Sequence, residues 1–153
     1  MARIHDLRSF MEVLKENGRL ATVEKEVNLV HEIGSVISTL ESESGKAALF
    51  TKVSGTDFSV AGGMLASMDN IALALGVDKS EITDHLAKVI EHPIAPVVVE
   101  EAPCHENVLT GDDIDMTRVP VPTHAPLDGG PIITGGVING QSGNTNLLKI
   151  ETI

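Results

Sequence analysis

The distribution of proline constrains this chain more than any other feature, because five of its seven prolines lie between residues 103 and 131. Proline lacks an amide donor and interrupts helices, so this stretch can hold neither a long helix nor an interior strand. Regular structure is therefore expected on either side of it. The sequence predicts three parts: a domain at 1–102, a proline-rich crossing at 103–131, and a final segment at 132–153.

Residues 1–102 alternate between helical and strand-like patterns. Asp6 precedes apolar residues at helical spacing, and Gly18 follows them, so a helix is expected between these two residues. The same reasoning predicts helices over 29–40, 69–75 (capped by Asp69) and 78–92, strands over 20–27, 47–53 and 58–64, and a polar loop at 42–46. The three β-branched residues Val97–Val99 favour an extended chain. The alternation indicates a mixed α/β domain whose strand order the sequence leaves open.

The final segment has the pattern of a β-hairpin. An apolar run at 132–138 is followed by turn-forming residues at 139–144 and a second apolar run at 147–153. A lone hairpin cannot bury its own apolar face. We therefore expect these residues to begin a larger β-structure.

Charge and composition exclude several classes of function. The net charge is −11, from 22 acidic and 11 basic residues, and no basic cluster stands out, so nucleic acids and anionic membranes are poor partners. Aromatic residues make up 2% of the chain, which argues against base stacking. One cysteine allows no internal disulfide, and neither a signal peptide nor a membrane span is apparent. These features predict a soluble, cytoplasmic protein.

Several segments, in order along the chain, resemble the UbiD family of decarboxylases. They are Asp6–Phe10 with Gly18–Leu20, Pro103–Val108 with Gly111–Asp115, and Val119–Pro122 with His124 and Asp128–Thr134. The resemblance implies an N-terminal α/β domain followed by the first strands of a flavin-reductase-like split β-barrel. It also implies a carboxy-lyase that reversibly decarboxylates aromatic or α,β-unsaturated acids.

The resemblance further implies cofactors and partners. Family members use prenylated FMN, made by a flavin prenyltransferase, and a divalent metal, usually manganese. On this basis Thr134, Gly135 and Asn146 are expected to contact the cofactor, and Asn146 to bind the metal. The position five residues after Asn146 is Glu151, where the family has an arginine. No catalytic residue is assigned, the isolated chain is expected to be inactive, and a homo-oligomer or a partner subunit is expected.

Other interpretations of the same residues remain open. The chain could be a non-catalytic binding or assembly module that pairs the exposed edge of its hairpin with another chain. A metal-dependent hydrolase could use His105, His124 and the aspartates 112, 113 and 115, although their spacing matches neither a zinc motif nor a calcium loop. Cys104 could serve as a nucleophile, but a lone cysteine is more often a small apolar packing residue.

Overall fold

The computed structural model describes residues 4–128, so the hairpin at 132–153 and the start of a split barrel lie outside the described residues. Seven principal elements follow one another in the order α1 (Leu7–Glu16), β1 (Leu20–Val23), α2 (Glu32–Ser44), β2 (Ala47–Phe50), β3 (Val60–Gly62), α3 (Met68–Leu75) and α4 (Ile82–Glu91). This mixed α/β composition agrees with the predicted fold class. Within residues 4–128, no helix is long and apolar enough to cross a bilayer.

A three-stranded sheet organises the domain. Its order is β1–β2–β3, with β1 parallel to β2 and β3 antiparallel to β2. The parallel pair needs a crossover connection, and α2 provides it. β2 therefore lies in the middle of the sheet, and three of its four residues are buried.

Successive residues of β2 contribute to two apolar clusters, as expected from the two-residue period of a strand. Ala48 and Phe50 join a cluster with Ile33 of α2. Ala47 joins a second cluster with Phe10 and Leu14 of α1. The sheet is thus covered by α2 on one face and by α1 on the other.

The first helix confirms its sequence signal. The Ser9 amide donates to the Asp6 carboxylate at 2.7 Å, and the Asp6 amide donates to the Ser9 hydroxyl at 3.0 Å. This reciprocal capping satisfies two amides at the helix start. Beyond the helix, Gly18 has a φ of +66°, a left-handed conformation that glycine adopts without steric cost.

The boundaries of α2 and α3 correct the sequence predictions. α2 begins at Glu32 and continues through Ser44, so the polar loop predicted at 42–46 is wrong over its first three residues. The serines there bond back to helical carbonyls, and Gly45 ends the helix in a left-handed conformation. Ser67, rather than Asp69, caps α3. The strands are also shorter than the predicted runs.

Residues 93–128 follow α4 as an irregular segment, which we call the strap. Its regular pieces are the short 3₁₀ turns Pro103–Glu106, Gly111–Asp113 and Met116–Arg118. Over residues 103–128, the part of the predicted crossing that the structure describes, no α-helix forms. Val97–Val99 do not join the sheet, and all three side chains are exposed.

Candidate functional site

The strap returns to the domain at the start of α2. The His31 amide donates to the Thr123 carbonyl at 2.7 Å, and the Thr123 amide donates to the Leu29 carbonyl at 3.0 Å. His31 has a φ of +65° and is the one non-glycine residue with a left-handed backbone in the described part of the chain. Such a conformation needs support from its surroundings. The paired hydrogen bonds provide this support and fix the end of the strap against α2.

A glycine within α2 permits this close approach. A Cβ added at Gly34 would lie 2.7 Å from His124 Nδ1 and 3.3 Å from His124 Cα. Glycine inside a helix costs about 1 kcal/mol relative to alanine, so its presence calls for a packing reason. Here the reason is the His124 backbone and ring, which lie directly against the helix.

Between α2, β3 and the strap lies a groove with a volume of about 560 Å³. Its lining is largely apolar and comprises Ile33, Ile37, Val60–Gly63, Val119–Pro122 and His124. Among the described lining residues, His124 has the one ionisable side chain. The described lining therefore suits apolar groups and contains no lysine or arginine that could bind a phosphate.

A second polar centre lies at the start of α3, around the Arg19 guanidinium. Arg19 Nε donates to Asn70 Oδ1 at 2.9 Å, and Arg19 Nη2 donates to Ser67 Oγ at 2.6 Å and to the Gly45 carbonyl at 3.2 Å. Asp69 Oδ2 lies 3.5 Å from the same nitrogen. One side chain thereby joins the segment before β1, the α2–β2 connection and the cap of α3.

The charges of this centre are already partnered. Asp69 Oδ1 lies 2.8 Å from Lys79 Nζ, and the hydrogen bond from Lys79, with the nearby Arg19 charge, lowers the pKa of Asp69. Asn70 is fully buried, and within residues 4–128 its Nδ2 has no hydrogen-bond acceptor. The arrangement has the character of a structural joint, because its charged groups point at one another.

The aspartates of the strap serve its turns. Asp115 Oδ1 accepts from the Thr117 hydroxyl at 2.5 Å and from the Thr117 amide at 2.9 Å, and these bonds lower the pKa of Asp115. Asp112 and Asp113 form part of a 3₁₀ turn. In the described chain, no three His, Cys, Asp or Glu side chains lie close enough to hold a metal ion. The geometry thus gives no support to the hydrolase hypothesis.

The residues assigned to the cofactor by resemblance, Thr134, Gly135 and Asn146, lie outside the described residues. His105 lines a shallow pocket with Glu101, Ala102 and Glu106, whereas His124 lines the groove beside α2. The described residues do not fit a flavin phosphate or a metal.

Sequence patterns do not reveal the Arg19 joint or the contact between the strap and α2. Both depend on residues that are far apart in the chain, such as Arg19 with Asn70 and His31 with Thr123. One local signal was available for the second contact, namely Gly34 inside an otherwise regular helical pattern.

Comparison with protein families identifies two matching models. Residues 11–90 match the 3-octaprenyl-4-hydroxybenzoate carboxy-lyase N-terminal domain, and residues 96–147 match the Rift-related domain of the same carboxy-lyase. The first match alone spans more than half of the chain. The boundary between the two falls just before Val97.

Solved structures agree with this assignment. An evolved dimeric form of the UbiD-class enzyme HmfF from Pelotomaculum thermopropionicum, in complex with prFMN, is 30% identical with a TM-score of 0.76, over 84% of this chain and 30% of that one. Apo 3,4-dihydroxybenzoic acid decarboxylase from Enterobacter cloacae is 31% identical with a TM-score of 0.75, over 84% and 29%. Vanillic acid decarboxylase from Sedimentibacter hydroxybenzoicus, in its open form, is 33% identical with a TM-score of 0.72, over 85% and 30%.

The chain spans about 30% of the length of these enzymes. The segments that resemble the family and the two matched domains follow the same order along the chain. The chain belongs to the UbiD family of 3-octaprenyl-4-hydroxybenzoate carboxy-lyases, matching its N-terminal domain over residues 11–90 and its Rift-related domain over residues 96–147.

Proposed function

We propose that this chain provides the N-terminal part of a UbiD-type carboxy-lyase that reversibly decarboxylates aromatic or α,β-unsaturated carboxylic acids with prenylated FMN. The observation that carries the proposal is the similarity to HmfF, a UbiD-class enzyme whose structure contains prFMN. The relatives named as decarboxylases of 3,4-dihydroxybenzoic and vanillic acid support an aromatic acid as the substrate.

Decarboxylation leaves an electron pair on carbon, and the prenylated flavin supplies the group that accepts it. The described residues contribute the scaffold. Thr123 holds the strap against α2. The segment that follows Asp128 begins six residues after Thr123. We assign cofactor contacts to Thr134, Gly135 and Asn146 and a metal-binding role, with manganese as the ion, to Asn146.

The cellular setting follows from the same proposal. Prenylated FMN must come from a flavin prenyltransferase, which makes that enzyme the supplier of the cofactor. We infer a cytoplasmic location, since the single cysteine leaves no internal disulfide that would need an oxidising compartment. We also infer that the chain works as a homo-oligomer or with a partner subunit.

The purified 153-residue chain is proposed to be inactive by itself, because Glu151 stands where the family has an arginine. To test this, the chain is co-expressed with a flavin prenyltransferase, and its visible absorption spectrum, metal content and decarboxylation of 3,4-dihydroxybenzoate and vanillate are measured. The expected result is no turnover. Turnover by the chain without a partner would contradict the inactivity.

The cofactor assignment is tested in the same preparation. If the chain binds flavin and manganese, Asn146→Ala is expected to lower the manganese content, while Asn107→Ala, a matched change in the strap, leaves it unchanged. A colourless, metal-free protein would remove the assigned cofactor role of these residues in the isolated chain.

The alternative function is a non-catalytic assembly module that retains the UbiD N-terminal domain. The observation that favours it is the exposed apolar surface around Val97–Val99, which suits contact with another chain. The same co-expression experiment separates the two: a module associates with a partner without retaining flavin.

A further inference from the structure

The end of α1 carries an Asn-Gly pair, Asn17–Gly18, the dipeptide in which asparagine loses its side-chain amide most readily. In this reaction the backbone nitrogen of the glycine attacks the side-chain carbonyl carbon of the asparagine. Glycine permits the attack because it has no side chain to obstruct it. Whether the pair reacts in a folded chain therefore depends on whether these two atoms can meet.

Both reacting groups are engaged in the C-terminal cap of α1. Asn17 Nδ2 donates to the Val13 carbonyl at 2.8 Å, and the Gly18 amide donates to the Lys15 carbonyl at 3.0 Å. Asn17 has a φ of −91° and a ψ of 9°, so its backbone continues the last turn of the helix. Ring closure requires the Gly18 nitrogen to lose its proton and to rotate toward Asn17 Cγ. The two hydrogen bonds oppose both changes.

Packing holds this cap closed. The Arg19 amide donates to the Leu14 carbonyl at 2.7 Å, which completes a Schellman motif with the bond from Gly18 to Lys15. Leu14 is fully buried and belongs to the cluster with Phe10 and Ala47. The Asn-Gly pair is thus released when the last turn of α1 separates from the sheet.

We propose that Asn17 is a deamidation site whose reactivity is controlled by α1. The cap protects Asn17 in the folded chain, and opening of the last turn of α1 permits the reaction. A bond forms between the Gly18 nitrogen and Asn17 Cγ, the bond between Cγ and Nδ2 breaks, and ammonia leaves with the proton from Gly18. Water then opens the succinimide to aspartate or isoaspartate. The proposal depends neither on flavin binding nor on decarboxylation.

The products of the reaction cannot restore the cap. An ionised aspartate at position 17 has no side-chain donor for the Val13 carbonyl, and its negative charge lies at the C-terminus of a helix, where the helix dipole disfavours it. Isoaspartate adds a methylene to the main chain between Leu14 and Arg19, whose backbones are joined by the 2.7 Å hydrogen bond. Deamidation therefore converts a transient opening of α1 into a lasting one.

The first test compares the deamidation rate of Asn17 in the folded and the unfolded chain. The full 153-residue chain is incubated at one mildly alkaline pH, in buffer and in concentrated guanidinium chloride. Cleavage after arginine then releases residues 9–19, in which Asn17 is the one asparagine, and mass spectrometry measures the deamidated fraction over time. We expect the rate in buffer to be at least about tenfold lower, because the open form of a packed helix end is a minority state.

The second test relates the rate to the packing of α1. Leu14→Val removes a buried methylene from the last turns of the helix, and we expect deamidation in buffer to become at least about threefold faster. Leu7→Val makes the same change in the first turn of α1, at a side chain that is 55% exposed. This control is expected to deamidate at the wild-type rate.

The third test examines the consequence of deamidation by hydrogen exchange at the Gly18 and Arg19 amides. Asn17→Asp carries the side chain of one product, whereas Asn17→Ala removes the side-chain donor without adding charge. We expect exchange to be about two- to fivefold faster in Asn17→Asp than in Asn17→Ala, as for a negative charge placed at a helix C-terminus.

Equal deamidation rates in buffer and in guanidinium chloride would overturn the proposed protection. A Leu14→Val chain that deamidates no faster than the wild type would overturn the role of α1. Equal exchange in Asn17→Asp and Asn17→Ala would contradict the lasting opening, because the charge would then leave the cap unchanged.

Discussion

At the scale of single residues, the Arg19 side chain connects three segments that are far apart in the chain. Its guanidinium donates to Asn70, Ser67 and the Gly45 carbonyl. A guanidinium presents several donors in a fixed plane, whereas a lysine ammonium is a compact charge on a flexible stem. The geometry of this joint therefore requires arginine rather than positive charge alone.

We expect Arg19→Lys to lower the free energy of unfolding by roughly 1–3 kcal/mol, because the buried Asn70 loses its partner. Urea unfolding followed by far-UV circular dichroism measures this as a lower midpoint with an unchanged slope. Arg8→Lys is the matched control at an exposed position of α1, and it is expected to change stability by less than about 0.5 kcal/mol. Equal effects of the two variants would show that Arg19 acts only through its charge.

At the scale of elements, the structure shows which signals are local and which are not. α1 could be predicted from the sequence because its capping pair, Asp6 and Ser9, lies within one turn. The end of α2 was placed too early because serines 42 and 44 look like loop residues, although their hydroxyls bond to helical carbonyls. Only Gly45 marks the true end.

The valine segment has a different explanation. Val97–Val99 have strand propensity, but within the described chain no strand lies beside them. Propensity describes how a residue fits a paired, half-buried surface and does not supply the neighbour. The contact between the strap and α2 was likewise missed, because hydrogen bonds such as those between His31 and Thr123 connect residues about ninety positions apart.

Packing between α2 and the strap leads to a prediction at this scale. Gly34→Val adds a branched side chain where even a Cβ would lie 2.7 Å from His124 Nδ1. The strap must then move away from the helix, at a cost of roughly 1–3 kcal/mol, as for other overpacked sites. We expect faster hydrogen exchange at the His31 and Thr123 amides. Ser38→Val, which adds the same side chain at an exposed position one turn further along α2, is expected to leave both amides protected.

At the scale of the whole molecule, the domain and the candidate site differ in how far sequence alone could describe them. The α/β class and the UbiD family followed from patterns spread over residues 6–138. The cofactor residues Thr134, Gly135 and Asn146 were assigned by resemblance and remain predictions. What the described structure adds is the scaffold that precedes them, with β2 at its centre.

The position of β2 predicts that the two apolar clusters unfold together. Phe50 is a residue of β2 and belongs to the cluster with α2, whereas Leu14 belongs to the cluster with α1, which contains Ala47 of the same strand. We expect Phe50→Ala to cost about 3–5 kcal/mol and Leu14→Ala about 2–5 kcal/mol. Each variant is expected to shift one common transition.

The chain has no tryptophan or tyrosine, so intrinsic fluorescence offers little signal, and the transition is better followed by circular dichroism and hydrogen exchange. If β2 couples the clusters, Leu14→Ala lowers protection of the amides of α2 as much as those of α1, although Leu14 belongs to the α1 cluster. Loss of protection confined to α1 would show that the two faces of the sheet fold as separate units. In that case α2 and the attached strap could keep their structure without the first helix.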